Sequence, residues 1–270
     1  MSKFSVEVMT TAAQMRDRTA VVTGATTGIG AEIAERLAGY GAHLVLVART
    51  AERLDAEAER LRREHNVRVL VVPLDLAAHD APRQLARKLA EAGIEVEMLV
   101  NNAGITDLAP VAESDPARLR MVVDVNAGAL AETTALLLPE MITRGHGSIV
   151  NIASTGGYSP APYVAAYAAS KAFVLSFTQA LWAETRTSGV RVVAVSPGPT
   201  ETPMNTRPAP GKRHPRDVAD TVVKALGGSR PAVIDGRVNA VTSFVLGRLL
   251  SARFSARLAE RFMRRALSEK

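Results

Sequence analysis

Tyr167 and Lys171 stand four residues apart in the stretch YAASK. On a helix, residues at this spacing share one face and lie about one turn apart. A phenol is a poor acid at neutral pH, with a pKa of about 10, and a fixed cation nearby favours the phenolate and lowers that pKa. The pair is therefore a candidate proton donor, although a tyrosine and a lysine at this spacing more often belong to an ordinary helix surface.

A glycine-rich segment, VVTGATTGIG at 21–30, lies much earlier in the chain. It joins a short apolar run, TAVVTG, to a stretch with helical spacing, AEIAERLAGYG. Gly24, Gly28 and Gly30 permit a tight turn and close backbone approach, and the N-terminus of the following helix attracts phosphate. A plain tight turn whose glycines serve packing is the alternative, but the strand-to-helix context favours a phosphate site.

The elements that would position these residues alternate between two patterns along the chain. Short runs that are apolar on both faces, such as AHLVLVAR and VRVVAVSPG, alternate with amphipathic stretches such as TAERLDAEAERLRREHN. Strands of that kind, separated by helices, predict a parallel sheet covered on both faces and joined by right-handed crossovers. We therefore predict an α/β fold, a doubly wound parallel sheet of the Rossmann-like type, in a single domain with C-terminal amphipathic helices.

The predicted domain plan has three parts. Residues 1–17 form an N-terminal extension, 18–243 the Rossmann-like catalytic domain, and 244–270 a basic, amphipathic helical tail packed on or beside that domain. Within the domain, the Pro- and Thr-rich segment 199–215 is typical of a long loop. Loops of that length are often functional lids, so we expect this one to border the substrate.

Composition excludes several classes of chemistry. The 270 residues contain no cysteine, which excludes disulfides and thiol chemistry and fits a reducing compartment, so we expect a cytoplasmic protein. The N-terminus lacks the apolar run of a signal peptide, and no stretch approaches the length of an uninterrupted membrane-spanning helix. The five histidines lack metal-ligand spacing, so no metal site is expected, and no G-x-S-x-G elbow indicates a serine hydrolase.

Positive charge is concentrated at the C-terminus. The chain has a net charge of +6, and residues 244–270 hold six arginines and one lysine against two glutamates, so the body is nearly neutral. A nearly neutral body argues against nucleic-acid binding. In the tail, apolar residues recur every four positions, at Leu246, Leu250, Phe254, Leu258 and Phe262. This pattern, in one helix or two, favours packing on the domain or a sister subunit, and contact with an anionic membrane surface is the alternative.

Several motifs occur in an order that resembles the short-chain dehydrogenase/reductase family, in its single-domain NADP-type branch. The resemblance covers about residues 18–200. Its motifs are TGATTGIG at 23–30, D-L at 75–76, NNAG at 101–104, Asn126 in VDVNAG, Ser154 in NIAS, YAASK at 167–171 and PGPTET at 197–202. Ser154 precedes Tyr167 by 13 residues, which is the usual interval in that family.

The resemblance implies a role for each of four catalytic candidates in the reduction of a carbonyl. Tyr167 would donate the proton as general acid, while Lys171 would lower the pKa of Tyr167 and hold the nicotinamide ribose. The Ser154 hydroxyl would hydrogen-bond the substrate oxygen and stabilise the charge that develops there. Asn126 would position a water in a proton relay behind Lys171.

The resemblance also implies NADP(H) as the cofactor. An acidic residue at the end of the second strand would bind the adenosine ribose and repel a 2′-phosphate, but here that position is Ala48, followed by Arg49. Arginine suits phosphate as a bidentate, permanently charged partner, and Arg53 is a second candidate. The alternative is that Arg49 only begins a charged helix. Some NADP-using members also carry a basic residue at the position of Thr27, and this chain departs from that pattern.

Further cofactor contacts follow from the same resemblance. Asp75 resembles the residue that contacts adenine, and Thr202 resembles the one that holds the nicotinamide carboxamide. Asn101, Ala103 and Gly104 resemble the segment lining the adenosine ribose. The cofactor-binding candidates are Gly24, Thr26, Thr27, Gly28, Ile29, Gly30, Arg49, Arg53, Asp75, Leu76, Asn102, Ala103, Gly104, Tyr167, Lys171, Pro197, Gly198, Thr200 and Thr202.

These features predict an NADP(H)-dependent reductase that interconverts a carbonyl and an alcohol on a small, neutral, apolar molecule. The substrate pocket is expected from 156–164, 199–215 and the C-terminal helices, where Tyr158 and Tyr163 line or pack and no charge clamp stands out. A 3-oxoacyl thioester reductase is the alternative enzyme, and a non-catalytic cofactor-binding or membrane-associated regulatory protein is the alternative of another class. The resemblance further implies a homodimer or homotetramer formed through helices like 119–143 and 162–187.

Overall fold

A single seven-stranded parallel sheet forms the centre of the molecule. The computed structural model describes residues 15–206 and 211–268, and at 262 and 265–268 it describes the backbone alone. The strands stand in the order β3-β2-β1-β4-β5-β6-β7. Their bounds are β1 (Thr19–Thr23), β2 (His43–Ala48), β3 (Val69–Pro73), β4 (Met98–Asn101), β5 (Gly147–Ile152), β6 (Val190–Ser196) and β7 (Ala232–Ile234).

Helices cover both faces of this sheet, which confirms the predicted doubly wound α/β fold. Alternate residues of β1 enter two separate apolar clusters, with Ala20 and Val22 in one and Val21 in the other. Such burial on both faces is why the strand sequences are continuously apolar. The helices are α1 (Gly28–Gly39), α2 (Ala51–His65), α3 (Ala81–Glu91), α4 (Pro116–Val123), α5 (Ala129–Arg144), α6 (Ala165–Glu184), α7 (Pro215–Leu226), α8 (Arg237–Phe244) and α9 (Ala252–Ser268).

The strand order creates a crevice beside β1. This strand pairs with β2 on one side and with β4 on the other, so the chain reverses its direction of winding there. In open α/β sheets, ligands bind outside the carboxyl ends of the strands at such a switch point. The glycine-rich segment follows β1, and the segment 102–105 follows β4, so both predicted cofactor segments meet at this point.

The longest helix corrects one expectation about membranes. Helix α4, a π-helical turn (Asp124–Gly128) and α5 run on as one helix, Pro116–Arg144, of 29 residues. By length and composition this helix is apolar enough to cross a membrane, contrary to the prediction that no stretch approaches that length. Half of its most apolar window is buried inside the domain, where Leu137 and Met141 join a core cluster. The buried half of this apolar window therefore serves packing inside the domain.

The two ends of the predicted domain differ from the plan in detail. Residues 1–14 of the predicted extension and 207–210 of the predicted loop lie outside the described residues. Met15 is buried and packs in a core cluster, so the domain begins before residue 18. On the C-terminal side, helix α8 already begins at Arg237, which places the predicted boundary at 244 inside a helical segment.

The C-terminal apolar stripe divides between two helices. Helix α8 continues through a π-helical turn (Val245–Leu249), and α9 begins at Ala252. Leu250 has an extended backbone, with φ −97° and ψ 146°, and breaks the helical path between them. Of the predicted stripe, Leu246 and Leu258 are half-buried and Phe254 is exposed, while the side chain at 262 is not among those described. Spacing of four residues thus does not produce one continuous buried face.

Candidate active site

A cleft of about 360 Å³ opens at the carboxyl ends of the strands, at the switch point beside β1. The structure brings almost all the predicted site residues into its lining. They are Gly24, Thr26, Thr27, Gly28, Ile29, Arg49, Arg53, Asp75, Leu76, Asn102, Ala103, Gly104, Ser154, Tyr167, Lys171, Pro197, Gly198, Thr200 and Thr202. Gly30 and Asn126 lie directly behind this lining.

The loop between β1 and α1 has the geometry of a phosphate site. Gly24 and Gly28 adopt φ of 66° and 58°, which residues with a Cβ rarely do. A Cβ on Gly30 would lie 2.2 Å from the carbonyl oxygen of Gly24, so α1 packs directly on the loop. Thr27 precedes α1 and makes no capping hydrogen bond with its side chain, which leaves the first N–H groups of α1 free for a ligand. The loop therefore fits a dinucleotide phosphate.

The variant Gly30→Ala is expected to weaken NADPH binding by at least about tenfold, because the new methyl group would displace the Gly24 carbonyl and the phosphate loop. Fluorescence titration with NADPH measures the affinity, and thermal unfolding reports the accompanying loss of stability. Gly228→Ala is the matched control, since its Cβ would lie 3.6 Å from the nearest atom, the Ala225 carbonyl oxygen. Equal affinities for the two variants would contradict this account of the loop.

Thr23 and Asn102 join the phosphate loop to the segment after β4. The Thr23 hydroxyl accepts hydrogen bonds from the N–H groups of Asn102 and Ala103, at 2.9 and 3.0 Å. The Asn102 amide donates back to the carbonyls of Thr23 and Gly24, at 2.9 and 3.3 Å. Asn102 thus shapes the loop as well as lining the cleft. Sequence analysis missed Thr23, whose only signal is its place immediately before the first glycine.

Asn101 does not line the cleft, which corrects its assignment to the ribose segment. Its side chain is buried in the sheet, and its amide donates to Thr134 Oγ1 at 3.0 Å and to Asn151 Oδ1 at 2.9 Å. The Asn151 amide donates in turn to Thr178 Oγ1 at 2.9 Å. This chain of buried polar side chains ties β4 and β5 to helices α5 and α6 beneath the cleft. Full pairing is what makes such a buried polar network stabilising.

Lys171 is a buried cation at the floor of the cleft. Its Nζ donates to the carbonyl oxygen of Ile152 at 2.7 Å. Burial lowers the pKa of Lys171 from 10.5 to about 8, and no carboxylate counters that effect. At pH 7 the ammonium group therefore remains mostly charged. A Cβ on Gly104 would lie 3.4 Å from Nζ and 3.3 Å from Asn126 Oδ1, so glycine at 104 leaves the lysine accessible.

Ser154 and Tyr167 both line the cleft and are in direct contact with each other. A hydrogen bond joins the Ser154 hydroxyl to the Tyr167 phenol and lowers the pKa of the phenol, but burial raises that pKa more strongly. The Ser154 oxygen also accepts from the Gly156 N–H at 3.1 Å, which fixes the side chain at the start of a 3-10 turn (Thr155–Gly157). These bonds aim one hydroxyl and one phenol at the same point.

The raised pKa of Tyr167 differs from the sequence-based prediction that Lys171 lowers it. Lys171 Nζ lies 5.9 Å from the centre of the Tyr167 ring and donates to Ile152 instead. Both residues are on α6, four positions apart as predicted, but burial decides the direction in which the pKa of Tyr167 shifts. Tyr167 consequently holds its proton at neutral pH, as a general acid must before it reacts.

Asn126 supports the backbone behind Lys171. It lies in the π-helical turn between α4 and α5, a distortion that is frequent at functional sites. Its Oδ1 accepts from the Ile105 N–H at 2.8 Å, and its Nδ2 donates to the Ile105 carbonyl at 2.9 Å and to Ser170 Oγ at 3.0 Å. The side chain therefore fixes the segment after β4 against α6. The predicted relay water stays a prediction.

Comparison with known proteins agrees with this geometry. A family model described as short chain dehydrogenase matches residues 18–212. The chain belongs to the short-chain dehydrogenase family. An uncharacterized oxidoreductase of Staphylococcus saprophyticus is 35% identical over 232 residues, which are 85% of this chain and 97% of that protein. The human very-long-chain 3-oxoacyl-CoA reductase is 33% identical over 214 residues, which are 77% of this chain and 68% of the human one.

Solved structures of the short-chain dehydrogenase family share this fold, and one of them contains NADPH. A short-chain dehydrogenase from Sphingobium yanoikuyae in complex with NADPH superposes with a TM-score of 0.77 at 32% identity, covering 86% of this chain and 95% of that one. The bulky-bulky ketone specific alcohol dehydrogenase from Comamonas testosteroni has a TM-score of 0.75 at 32% identity, covering 86% and 93%. The NADPH-bound relative agrees with the predicted NADP(H) cofactor.

One end of the cleft, beyond the carboxyl ends of β2 and β3, is lined by the residues predicted to bind the adenosine part of the cofactor. Arg49 directly follows β2, and Arg53 lies in the first turn of α2, with both side chains exposed at the rim. Asp75 follows β3, and its Oδ1 accepts from the Ala77 N–H at 3.0 Å, which leaves its other oxygen to a ligand. The two cations and the carboxylate therefore line the same end of the cleft, and their contacts with the cofactor stay a prediction.

The predicted substrate segments carry one strained tyrosine. Tyr163 has φ of 67°, a conformation that a bulky residue adopts only where its surroundings enforce it. Its carbonyl accepts from the Ala109 N–H at 2.9 Å, and its hydroxyl pairs with Arg264 of α9. Tyr158 packs instead, with its hydroxyl 3.3 Å from Ser196 Oγ on β6. Of the two tyrosines, Tyr163 thus links the substrate segment to the C-terminal helix.

The cleft also has apolar lining residues that sequence analysis did not name, although 203 and 204 lie in the 199–215 segment that it expected to border the substrate. They come from the loop after β4, from α4 with the π-helical turn, and from the 199–215 segment. These residues are Ile105, Met121, Val125, Pro203 and Met204. No sequence motif identifies them. They come from three separate segments that only the fold brings together at the cleft.

Two histidines lie beside carboxylates away from the cleft. Each histidine forms a group with two glutamates, and the nitrogen and oxygen atoms that could bind a metal lie within 4.8 Å of one another in each group. The spacing of these residues along the chain did not predict either group. Arginines already pair with these carboxylates, at 2.7 Å in the first group and 2.8 Å in the second. We interpret both as ion-pair networks. The groups are His65 with Glu35 and Glu64, both paired by Arg60, and His146 with Glu95 and Glu97, of which Glu97 pairs with Arg18 and Glu95 with Arg144.

Proposed function

We propose that this short-chain dehydrogenase is an NADP(H)-dependent carbonyl reductase, which interconverts a ketone or aldehyde and the corresponding alcohol. The observation that carries the proposal is the hydrogen-bonded pair of Ser154 and Tyr167 in the cleft, with the buried cation of Lys171 beside it. The pair presents a proton donor and a hydrogen-bond donor at one point. A carbonyl oxygen placed there meets both groups that its reduction requires.

The protein residues account for the acid–base half of the reaction. The nicotinamide, when bound, supplies the hydride that the carbonyl carbon accepts. Tyr167 gives its phenolic proton to the carbonyl oxygen, so that the carbonyl becomes an alcohol and the tyrosine a phenolate. Ser154 hydrogen-bonds the same oxygen while negative charge develops on it. Lys171, charged at pH 7, stabilises the phenolate through its positive charge, and solvent then returns the proton to Tyr167.

The preference for NADP(H) is proposed from the cations at the rim. No acidic residue follows β2 at the position that would repel a 2′-phosphate, since Ala48 ends the strand and Arg49 comes next. Arg49 and Arg53 line the cleft at this end. Arginine binds phosphate with two parallel hydrogen bonds and a permanent charge. The NADPH-bound Sphingobium relative supports the same choice.

Arg49→Ala is expected to raise the KM for NADPH about tenfold or more and to leave the KM for NADH nearly unchanged, because only the 2′-phosphate loses a partner. Side-by-side oxidation of NADPH and NADH with one carbonyl substrate measures the ratio. Arg87→Ala, an exposed arginine on α3, is the matched control and is expected to change neither value. Wild-type preference for NADH would overturn the proposal for the cofactor while leaving the reaction class intact.

A neutral, apolar carbonyl compound is the proposed substrate. The charged side chains that line the cleft are Arg49, Arg53, Asp75 and Lys171, and family resemblance gives all four to the cofactor. The remaining walls are largely apolar or uncharged. The Comamonas relative, described as specific for bulky ketones, supports an apolar ketone. A 3-oxoacyl thioester is the second candidate, because the human relative is a very-long-chain 3-oxoacyl-CoA reductase.

A substrate panel with NADPH distinguishes these readings. Turnover of apolar ketones or aldehydes supports the main proposal, and turnover of 3-oxoacyl thioesters alone supports the second candidate. If NADPH binds and no carbonyl compound in either class is reduced, the non-catalytic alternative gains support.

We also propose that the chain acts in the cytoplasm as a homodimer or homotetramer through Pro116–Arg144 and α6. Exposed apolar side chains on these helices support the assembly. They are Val123, Ile142 and Phe173, the last stacked on Phe177 with ring centres 5.6 Å apart. Light scattering of the purified chain measures the number of subunits.

A further inference from the structure

The outer face of the C-terminal helical pair combines exposed apolar side chains with arginines. On α8, Asn239 and Ser243 lie one turn apart and are buried against the domain. The opposite face of this helix is exposed and apolar. Val238 is 71% exposed, Val241 64% and Phe244 57%. Large apolar side chains that share one solvent-facing side of a helix mark a surface that another apolar phase covers.

Two further exposed apolar side chains follow α8 in the chain. Leu249 ends the π-helical turn at 64% exposure, and Phe254 lies early in α9 at 56%. The Ser255 hydroxyl donates to the Leu246 carbonyl at 2.6 Å, so the two helices are tied together at their junction. The exposed apolar residues Val238, Val241, Phe244, Leu249 and Phe254 are together called the outer patch below.

Positive charge predominates on the segment that carries the outer patch. Besides Arg264, five exposed arginines lie on α8, the π-helical turn and α9. Between residues 236 and 264, the one acidic residue is Glu260, and its carboxylate accepts from Arg264 at 2.5 Å. No acidic side chain is therefore available in this segment to neutralise the others. The five arginines are Arg237, Arg248, Arg253, Arg257 and Arg261.

We propose that the outer patch docks the protein on an anionic lipid surface. Aromatic and aliphatic side chains enter the boundary between headgroups and acyl chains, and arginines pair with the anionic headgroups around them. A second copy of the chain fits less well. A symmetric interface would bring the arginines of both copies together without enough carboxylates to neutralise them. Charge therefore favours the lipid surface over self-association.

The inner side of the same helices touches the segments that border the cleft. A Cβ on Gly247 would lie 2.5 Å from the Tyr158 carbonyl oxygen, and a Cβ on Gly198 would lie 2.3 Å from the Asn239 amide. Helix α8 thus separates the outer patch from the substrate segments by about one helix diameter, roughly 10 Å. Docking would place the cleft next to the bilayer, where apolar carbonyl compounds accumulate.

Cosedimentation of the full chain with vesicles tests the proposal. We expect binding to phosphatidylcholine vesicles that contain phosphatidylglycerol, binding at least about tenfold weaker to phosphatidylcholine alone, and weaker binding at high salt. The double variant Val241→Ser/Phe244→Ser is expected to bind at least about tenfold more weakly, and Arg253→Gln/Arg257→Gln about tenfold more weakly. NADPH affinity and thermal unfolding are measured on each variant to confirm that it folds.

Matched controls change the same residue types elsewhere. Val111→Ser removes another exposed apolar side chain, and Arg87→Gln/Lys88→Gln removes two exposed charges on α3. Both controls are expected to bind vesicles like the wild type. Absence of vesicle binding, or equal binding by all variants, would overturn the proposal. A change in subunit number in Val241→Ser/Phe244→Ser, without vesicle binding by the wild type, would instead assign the outer patch to a second copy.

Discussion

Tyr167→Phe is expected to lower turnover with NADPH by about a thousandfold, because the variant has no proton to give to the carbonyl oxygen. Cofactor affinity is expected to change little, since the ring that packs at the start of α6 remains. Burial raises the pKa of the Tyr167 phenol. The wild type therefore keeps this proton up to alkaline pH, but the rate of carbonyl reduction should begin to fall near pH 8, where Lys171 loses the charge that stabilises the phenolate. Initial rates of NADPH oxidation against pH measure both effects.

Tyr158→Phe provides a close control for that experiment. Tyr158 lies in the same region of the domain, and burial also raises its pKa, but its hydroxyl lies 3.3 Å from Ser196 Oγ and serves packing. Loss of that hydroxyl is expected to cost one hydrogen bond, about 1 kcal/mol of stability, and little turnover. Comparable losses of turnover in both variants would mean that either change disturbs the cleft. Turnover retained by Tyr167→Phe would remove tyrosine from the reaction.

The parallel sheet was predictable because burial on both faces leaves a simple pattern in the sequence. Strand β2 reads HLVLVA, and its four central residues are all buried. The motif residues were predictable for another reason. Most of them lie within a few residues of the end of a strand or in the first turns of a helix, and the carboxyl ends of parallel strands meet at one edge of the sheet. Order along the chain was therefore enough to bring Gly24, Asp75, Ser154 and Thr202 to one cleft.

Properties that depend on burial were not predictable from spacing. Tyr167 and Lys171 are one turn apart as expected, yet desolvation decides both pKa values, which the sequence does not encode locally. Asn101 stands next to Asn102 in the chain but points into the sheet, because neighbouring residues of a strand face opposite sides. Sequence analysis allowed for two helices in the tail but did not locate the break at Leu250, since the apolar spacing of four continues across it.

Lys171→Met is expected to abolish most turnover and at the same time to stabilise the fold. Burial lowers the pKa of Lys171 from 10.5 to about 8, so the charged form is penalised in the folded state. The difference corresponds to roughly 3 kcal/mol of stability lost at pH 7. Methionine has a similar length and no charge. It also removes the hydrogen bond to the Ile152 carbonyl, which costs about 1 kcal/mol, so a net gain of about 2 kcal/mol is expected.

The pH dependence of unfolding separates this cause from a packing effect. Between about pH 8 and pH 10.5 the unfolded chain holds the Lys171 proton and the folded chain releases it, so wild-type stability should rise with pH across that window relative to Lys171→Met. Below pH 8 both states are protonated, and the difference between the two proteins should stay constant. Denaturant unfolding across this range measures it, with Lys88→Met, an exposed lysine, as the control. A Lys171→Met variant that is less stable at pH 7 would show that the lysine strengthens the fold. An active site that keeps a buried cation at the expense of stability is expected only where the charge serves the reaction.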